Sequence, residues 1–142
     1  SALLLKMDRF LREMGGAVTF VGSQYRLEVG DQEYFVDILL YHRHLRCLIA
    51  VELRTTAFIP EFMGKMQFYL TALDRHAKAS GENSPIGIIV CKTKNKMVVE
   101  YALAQAKTPI GVATYKMTTK LPKNLKDQLP APEQVGRLLE DI

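Results

Sequence analysis

Apolar runs of two kinds alternate along this chain, and their spacing separates helices from strands. Leu4, Leu5, Met7, Phe10, Leu11 and Met14 recur at helical intervals, and Gly15-Gly16 closes the segment as a helix C-cap would. Three strand patterns follow. Residues 17–21 and 25–29 form one extended region interrupted at Gly22-Ser23, where a bulge or bend is expected. Gly30-Asp31 supplies a turn into a strand over 33–41, residues 42–45 a second turn, and 46–54 the third strand. The Cys47-Leu48-Ile49-Ala50-Val51 core of that strand is apolar throughout, the pattern of a strand covered on both faces.

Helical spacing then returns. Pro60 suits a first helical turn, and Phe62, Met66, Tyr69, Leu70 and Leu73 trace an amphipathic helix expected to end near Ser80-Gly81. Residues 86–91 read as a short buried strand. Asn95 is placed to cap a helix running through Gln105, with Met97, Val98, Tyr101 and Ala102 expected to face inward, and 110–117 reads as the last strand. The predicted order is α-β-β-β-α-β-α-β, a mixed α/β sheet flanked by helices. Residues 1–120 are expected to form the domain, and 121–142, with Pro122, Pro130 and Pro132, a C-terminal arm and short helix of the same domain. The first helix has no N-terminal capping residue, so the chain is expected to be part of a longer protein with a preceding N-terminal domain.

Size and composition narrow the function classes. A chain of 142 residues, 48% hydrophobic, can bury one sizeable core without staples. No apolar run reaches the ~20 residues needed to cross a bilayer, and no secretory leader pattern is visible, so a cytoplasmic location without membrane contact is expected. Cys47 and Cys91 lie far apart inside apolar runs, without zinc-ligand spacing, and read as small buried residues in a reducing compartment. The net charge of +4 permits a polyanionic partner. Arg43 and Arg46 sit near the predicted hairpin, and Lys92 and Lys94 follow the later strand; these four are the candidates for phosphate contact. Solvated turns and helix starts account for the same residues.

The candidate chemistry lies in 34–69, where Asp37 stands in one apolar run and Glu52-Leu53-Arg54 in the next. Alternation puts Glu52 and Arg54 on one face and Leu53 on the other. Folding 33–41 back on 46–54 brings Asp37 and Glu52 to similar height. Two carboxylates held together among Val36, Ile38, Leu39 and Leu40 are costly without a cation between them. A hard divalent ion meets that need, with the Leu53 carbonyl as a third oxygen donor. An ion pair with Arg46 or Arg54 meets it equally well.

Longer phrases carry a resemblance. They are FVGSQYRLEV at 20–29, DILLYH at 37–42, LRCL at 45–48, VEL at 51–53, GKMQFYL at 64–70, IGIIVCK at 86–92 and PIGVATY at 109–115. Over residues 10–129 the chain resembles the YhcG-type nuclease domain, a bacterial branch of the PD-(D/E)xK superfamily. The resemblance implies a restriction-endonuclease-like fold and a divalent-metal-dependent nuclease using Mg²⁺ or Mn²⁺. It also implies Asp37 and Glu52 as metal ligands, with Glu13 of the first helix matching a family glutamate that completes the acidic set. The chain departs from the family pattern at Arg54, where the superfamily carries a lysine beside the attacking water. Arginine keeps the charge, but as a planar fork that stays protonated. Lys65, on the helix behind the site, is the candidate substitute, and Gln67 a candidate for orienting water or substrate.

The expected activity is hydrolysis of DNA phosphodiester bonds. An alternative is a nuclease-fold module of weak or no activity that binds DNA or a protein, supported by the arginine at position 54. A third is an assembly domain that ignores the acids. Homo-oligomerisation is left open.

Overall fold

The computed structural model describes residues 17–114, which form one five-stranded mixed sheet and two helices. The strands are β1 (Val18–Val29), β2 (Gln32–His42), β3 (Cys47–Leu53), β4 (Asn83–Cys91) and β5 (Ile110–Thr114). The helices are α1 (Glu61–His76) and α2 (Lys96–Ala104). The sheet order is β1-β2-β3-β4-β5, antiparallel across β1, β2 and β3 and parallel from β3 through β5. Short turns therefore join the first three strands, whereas α1 and α2 carry the chain between the parallel ones. The α/β expectation is met, and the predicted first helix and C-terminal arm lie outside the described residues.

Local chemistry sets the turns. Gly30 and Asp31 both have positive φ, 57° and 65°, which suits a tight two-residue link between β1 and β2. The irregularity in β1 falls between Phe20 and Gly22, one residue before the expected position. Gln24 has a φ of 47°, unusual for a residue with a side chain.

Apolar side chains lie on both faces of the sheet. Ile38, Leu40, Ile49, Val51, Ile88 and Val90 form one cluster. Leu39, Ala50, Ile89 and Val112 form the other, against Met66, Leu70 and Leu73 of α1. Gly87 permits that close approach, because a Cβ there would meet Met66 Sδ at 2.6 Å. Both cysteines are buried and free, and burial raises each thiol to about 11, so neither is a thiolate at neutral pH.

Two helical expectations are corrected. The helix α1 stops at His76 rather than near Ser80, because the Ala77 and Lys78 amides both turn back to the Leu73 carbonyl. In α2 the Asn95 side chain does cap the first turn, accepting from the Met97 and Val98 amides. The buried residue, however, is Val99, while Met97 and Tyr101 are 62% and 72% exposed. A nine-residue helix with apolar residues on several sides leaves its orientation to tertiary packing.

Candidate active site

The β2–β3 register pairs Ile38 with Val51, which puts Asp37 and Glu52 at the next step of the same ladder. Backbone and side chains interlock there. The Asp37 amide donates to Glu52 Oε2 at 2.7 Å, and the Leu53 amide donates to Asp37 Oδ2 at 2.8 Å. Gln24 Nε2 donates to Asp37 Oδ1 at 3.2 Å from the neighbouring strand. The Glu52 carboxylate is thus fixed by the main chain of Asp37, and the Asp37 carboxylate by that of Leu53.

Arg54 closes the arrangement. Its Nη2 donates to Glu52 Oε1 and its Nη1 to the Leu53 carbonyl, both at 3.0 Å, and Nη1 lies 3.6 Å from Asp37 Oδ2. The guanidinium also stands 5.3 Å from the centre of the Phe62 ring on α1. Of the readings open from the sequence, the ion pair with Arg54 is present in the folded chain; Arg46 instead donates to the Gly81 carbonyl at 2.9 Å.

Burial is unequal. The Glu52 side chain is 3% exposed, whereas Asp37 and Arg54 keep 24% and 20%. The solvation cost expected around Asp37 therefore falls mainly on Glu52. Its carboxyl is raised above 4.5 chiefly by burial, with the Asp37 carboxylate adding to the rise; the Asp37 amide, Arg54 and Lys65 oppose it. The folded state then takes the Glu52 proton more tightly than the unfolded chain does. Its contribution is most stabilising below 4.5 and declines as pH rises through the raised value. In calorimetric melts, wild type should gain Tm relative to Glu52→Gln as pH is lowered from neutral towards 4.5. A gap moving the other way would contradict the burial argument.

The donor set suits a hard divalent cation. Two carboxylate oxygens and a carbonyl oxygen already converge on one positive group, and oxygen ligands are what Mg²⁺ and Mn²⁺ prefer. Among the described residues no group of three His, Cys, Asp or Glu side chains gathers around a common point. The expected fourth donor, Glu13, lies outside them.

The structure distributes the other candidates unevenly. Lys65 is exposed on α1, with its ammonium 5.6 Å from the Tyr69 ring centre, and it acts electrostatically on Glu52. Tyr69 is buried beside the acids, and burial with the two carboxylates raises its phenol to about 12, so it remains a neutral donor. Gln67 lies two residues from Lys65, roughly 200° round the helix, and so off the stripe bearing Phe62, Lys65 and Tyr69.

Lys92 and Lys94 follow β4, whose C-terminal end pairs with that of β3, so they share the site's edge of the sheet. Lys94 is half-buried, and burial lowers its pKa. Arg43 and Arg46 belong to the turn at the opposite end of the hairpin, roughly 17 Å along the strand from Asp37. His42 is fully buried, and its Nδ1 accepts from the Leu45 amide. Two residues outside the predicted set join the site: Gln24, which contacts Asp37, and Phe62, which faces Arg54. A usable signal existed for Gln24 in the broken strand pattern at Gly22-Ser23.

Comparison with known proteins follows the same lines. The family model of the YhcG PDDEXK nuclease domain matches residues 1–130. The chain is 36% identical over 134 residues to YhcG of Escherichia coli (strain K12), provisionally named a nuclease. That match covers 94% of this chain and 36% of the relative, so the chain spans about a third of the relative's length. A solved repair endonuclease from Pyrococcus abyssi is similar with a TM-score of 0.49 and 13% identity, over 78% of this chain and 44% of its own.

Proposed function

The chain belongs to the YhcG PDDEXK nuclease domain family, and on that premise we propose that it hydrolyses DNA phosphodiester bonds with the help of Mg²⁺ or Mn²⁺. The observation that carries this reading is the interlocked acid pair. Asp37 and Glu52 are each held by a main-chain amide, and Asp37 Oδ2 and Glu52 Oε1 both face one positive charge. An ion held there by Asp37, Glu52 and the Leu53 carbonyl would supply charge neutralisation at the scissile phosphate and a more acidic water.

The chain's own residues do the rest. Gln24 and the Leu53 amide orient Asp37, and the Asp37 amide orients Glu52. Phe62 stands against the Arg54 guanidinium, and the buried Tyr69 lies within electrostatic reach of both acids. Lys65 brings an ammonium from α1 to the exposed side, in the part that the superfamily's lysine would otherwise fill. Lys92 and Lys94 offer positive charge along the same edge for the sugar-phosphate backbone.

A binding module without turnover remains the second reading, favoured by the guanidinium seated on the acids. A plasmid, a branched duplex and a single strand, each incubated with Mg²⁺, with Mn²⁺ and with chelator, separate the two. Cleavage that needs the ion supports the nuclease. DNA binding without cleavage under every condition would establish the module instead.

A further inference from the structure

We infer that Arg54 is the resident cation of the acid pair, and that a divalent ion enters only by exchange with its guanidinium. This rests on the metal-dependent reading above and adds a condition to it. The argument starts from the oxygens. Glu52 Oε2 is taken by the Asp37 amide, Asp37 Oδ1 by Gln24, and Asp37 Oδ2 in part by the Leu53 amide. What remains is Glu52 Oε1, the other side of Asp37 Oδ2 and the Leu53 carbonyl. Arg54 approaches all three, at 3.0, 3.6 and 3.0 Å. These are the same three donors that the site offers to a metal.

A guanidinium and a dication cannot share them. Mg²⁺ draws its oxygens to about 2.0–2.1 Å, and two cations on one ligand set repel each other strongly in a site where Glu52 is 3% exposed. The exchange needs only a side-chain movement, because the Arg54 amide is tied to the Val90 carbonyl at 2.8 Å while its side chain keeps 20% exposure. A lysine at this position would carry the same charge on a compact ammonium, without the planar fork that Arg54 lays across Glu52 and the Leu53 carbonyl. The departure from the family pattern therefore acts on metal affinity as well as on the reaction. The displaced fork is also suited to a phosphate oxygen, so substrate and ion would favour each other's binding.

The experiment compares Mn²⁺ affinity, by calorimetry and by electron paramagnetic resonance, for wild type, Arg54→Lys, Arg54→Gln and Asp37→Ala. Arg54→Lys preserves net charge, so it isolates the fork from simple electrostatics. It should bind Mn²⁺ about tenfold or more tightly than wild type, with Arg54→Gln tighter again and Asp37→Ala without binding. Equal affinity in wild type and Arg54→Lys would overturn the exchange while leaving the metal-dependent nuclease intact. No Mn²⁺ binding in any variant would overturn both. A second measurement needs no substitution: nitrogen-detected spectra of the wild-type guanidinium during a Mg²⁺ titration. Restricted Nη rotation before the ion and averaged rotation after it is the expected result. Mg²⁺ shifts at Asp37 and Glu52 with the Arg54 fork still restricted would refute the exchange.

Discussion

Asp37→Asn should keep the fold and lose cleavage by two to four decades. The variant preserves shape and hydrogen bonding. Its amide oxygen can still accept from the Leu53 amide, and its NH₂ faces Gln24, whose own amide can rotate to present oxygen. What disappears is a negative ligand. Metal stabilisation of a phosphoryl transition state amounts to several kcal/mol; about 3–5 kcal/mol of that corresponds to the stated loss. Glu52→Ala makes the contrast, since it strips the Asp37 amide and the Arg54 fork of an acceptor in a buried place. The orphaned Asp37 amide alone costs about 1–3 kcal/mol, so that variant should lose stability along with activity. Steady-state cleavage beside urea melts reads both quantities. Full activity in a folded Asp37→Asn would remove Asp37 from the centre of the reaction.

The second large effect belongs to Lys65. If its ammonium fills the place vacated by the lysine-to-arginine change, Lys65→Ala should slow cleavage about a hundredfold or more, equivalent to roughly 2.7–4 kcal/mol of barrier. Arg54→Ala should retain measurable activity, and Arg54→Lys should exceed wild type, because it restores a compact ammonium and frees the acid oxygens. Cleavage untouched in Lys65→Ala but abolished in Arg54→Ala would assign the charge-stabilising role to Arg54 alone. The comparison requires saturating Mn²⁺, so that altered ion affinity does not masquerade as altered chemistry.

Much of this centre was legible before any coordinates, and the reason is local. Strand alternation and a short turn are enough to bring Asp37 and Glu52 to similar height within a register step, and the pairing of Ile38 with Val51 then sets them opposite each other. The same alternation put Glu52 and Arg54 on one side. What alternation cannot give is where a long flexible side chain comes to rest, and so the seat of Arg54 on three oxygens needed the structure. Gln24, with its positive φ, makes its contact with Asp37 off the regular strand pattern, and the break at Gly22-Ser23 is the one trace of it in the sequence. The outward faces of Met97 and Tyr101 and the early end of α1 were decided by packing and by backbone hydrogen bonds to Leu73, neither of which leaves a mark in residue spacing. Arg43 and Arg46 looked close to the acids because they are near in sequence, yet an extended strand carries them to its far end.

That hairpin also bears on the order in which the protein is made. Asp37 and Glu52 are only 15 residues apart, whereas β3 meets β4 only after the 16 residues of α1 have been laid down. Loop-closure entropy and the local character of the contact favour the hairpin first. A nascent chain emerging from the ribosome can therefore bring the two acids together before the parallel strands exist. Arg54 follows them within two residues, so the repulsion between the acids is met by a positive charge from the same short stretch of synthesis. The centre does not have to wait for an ion from solution in order to fold.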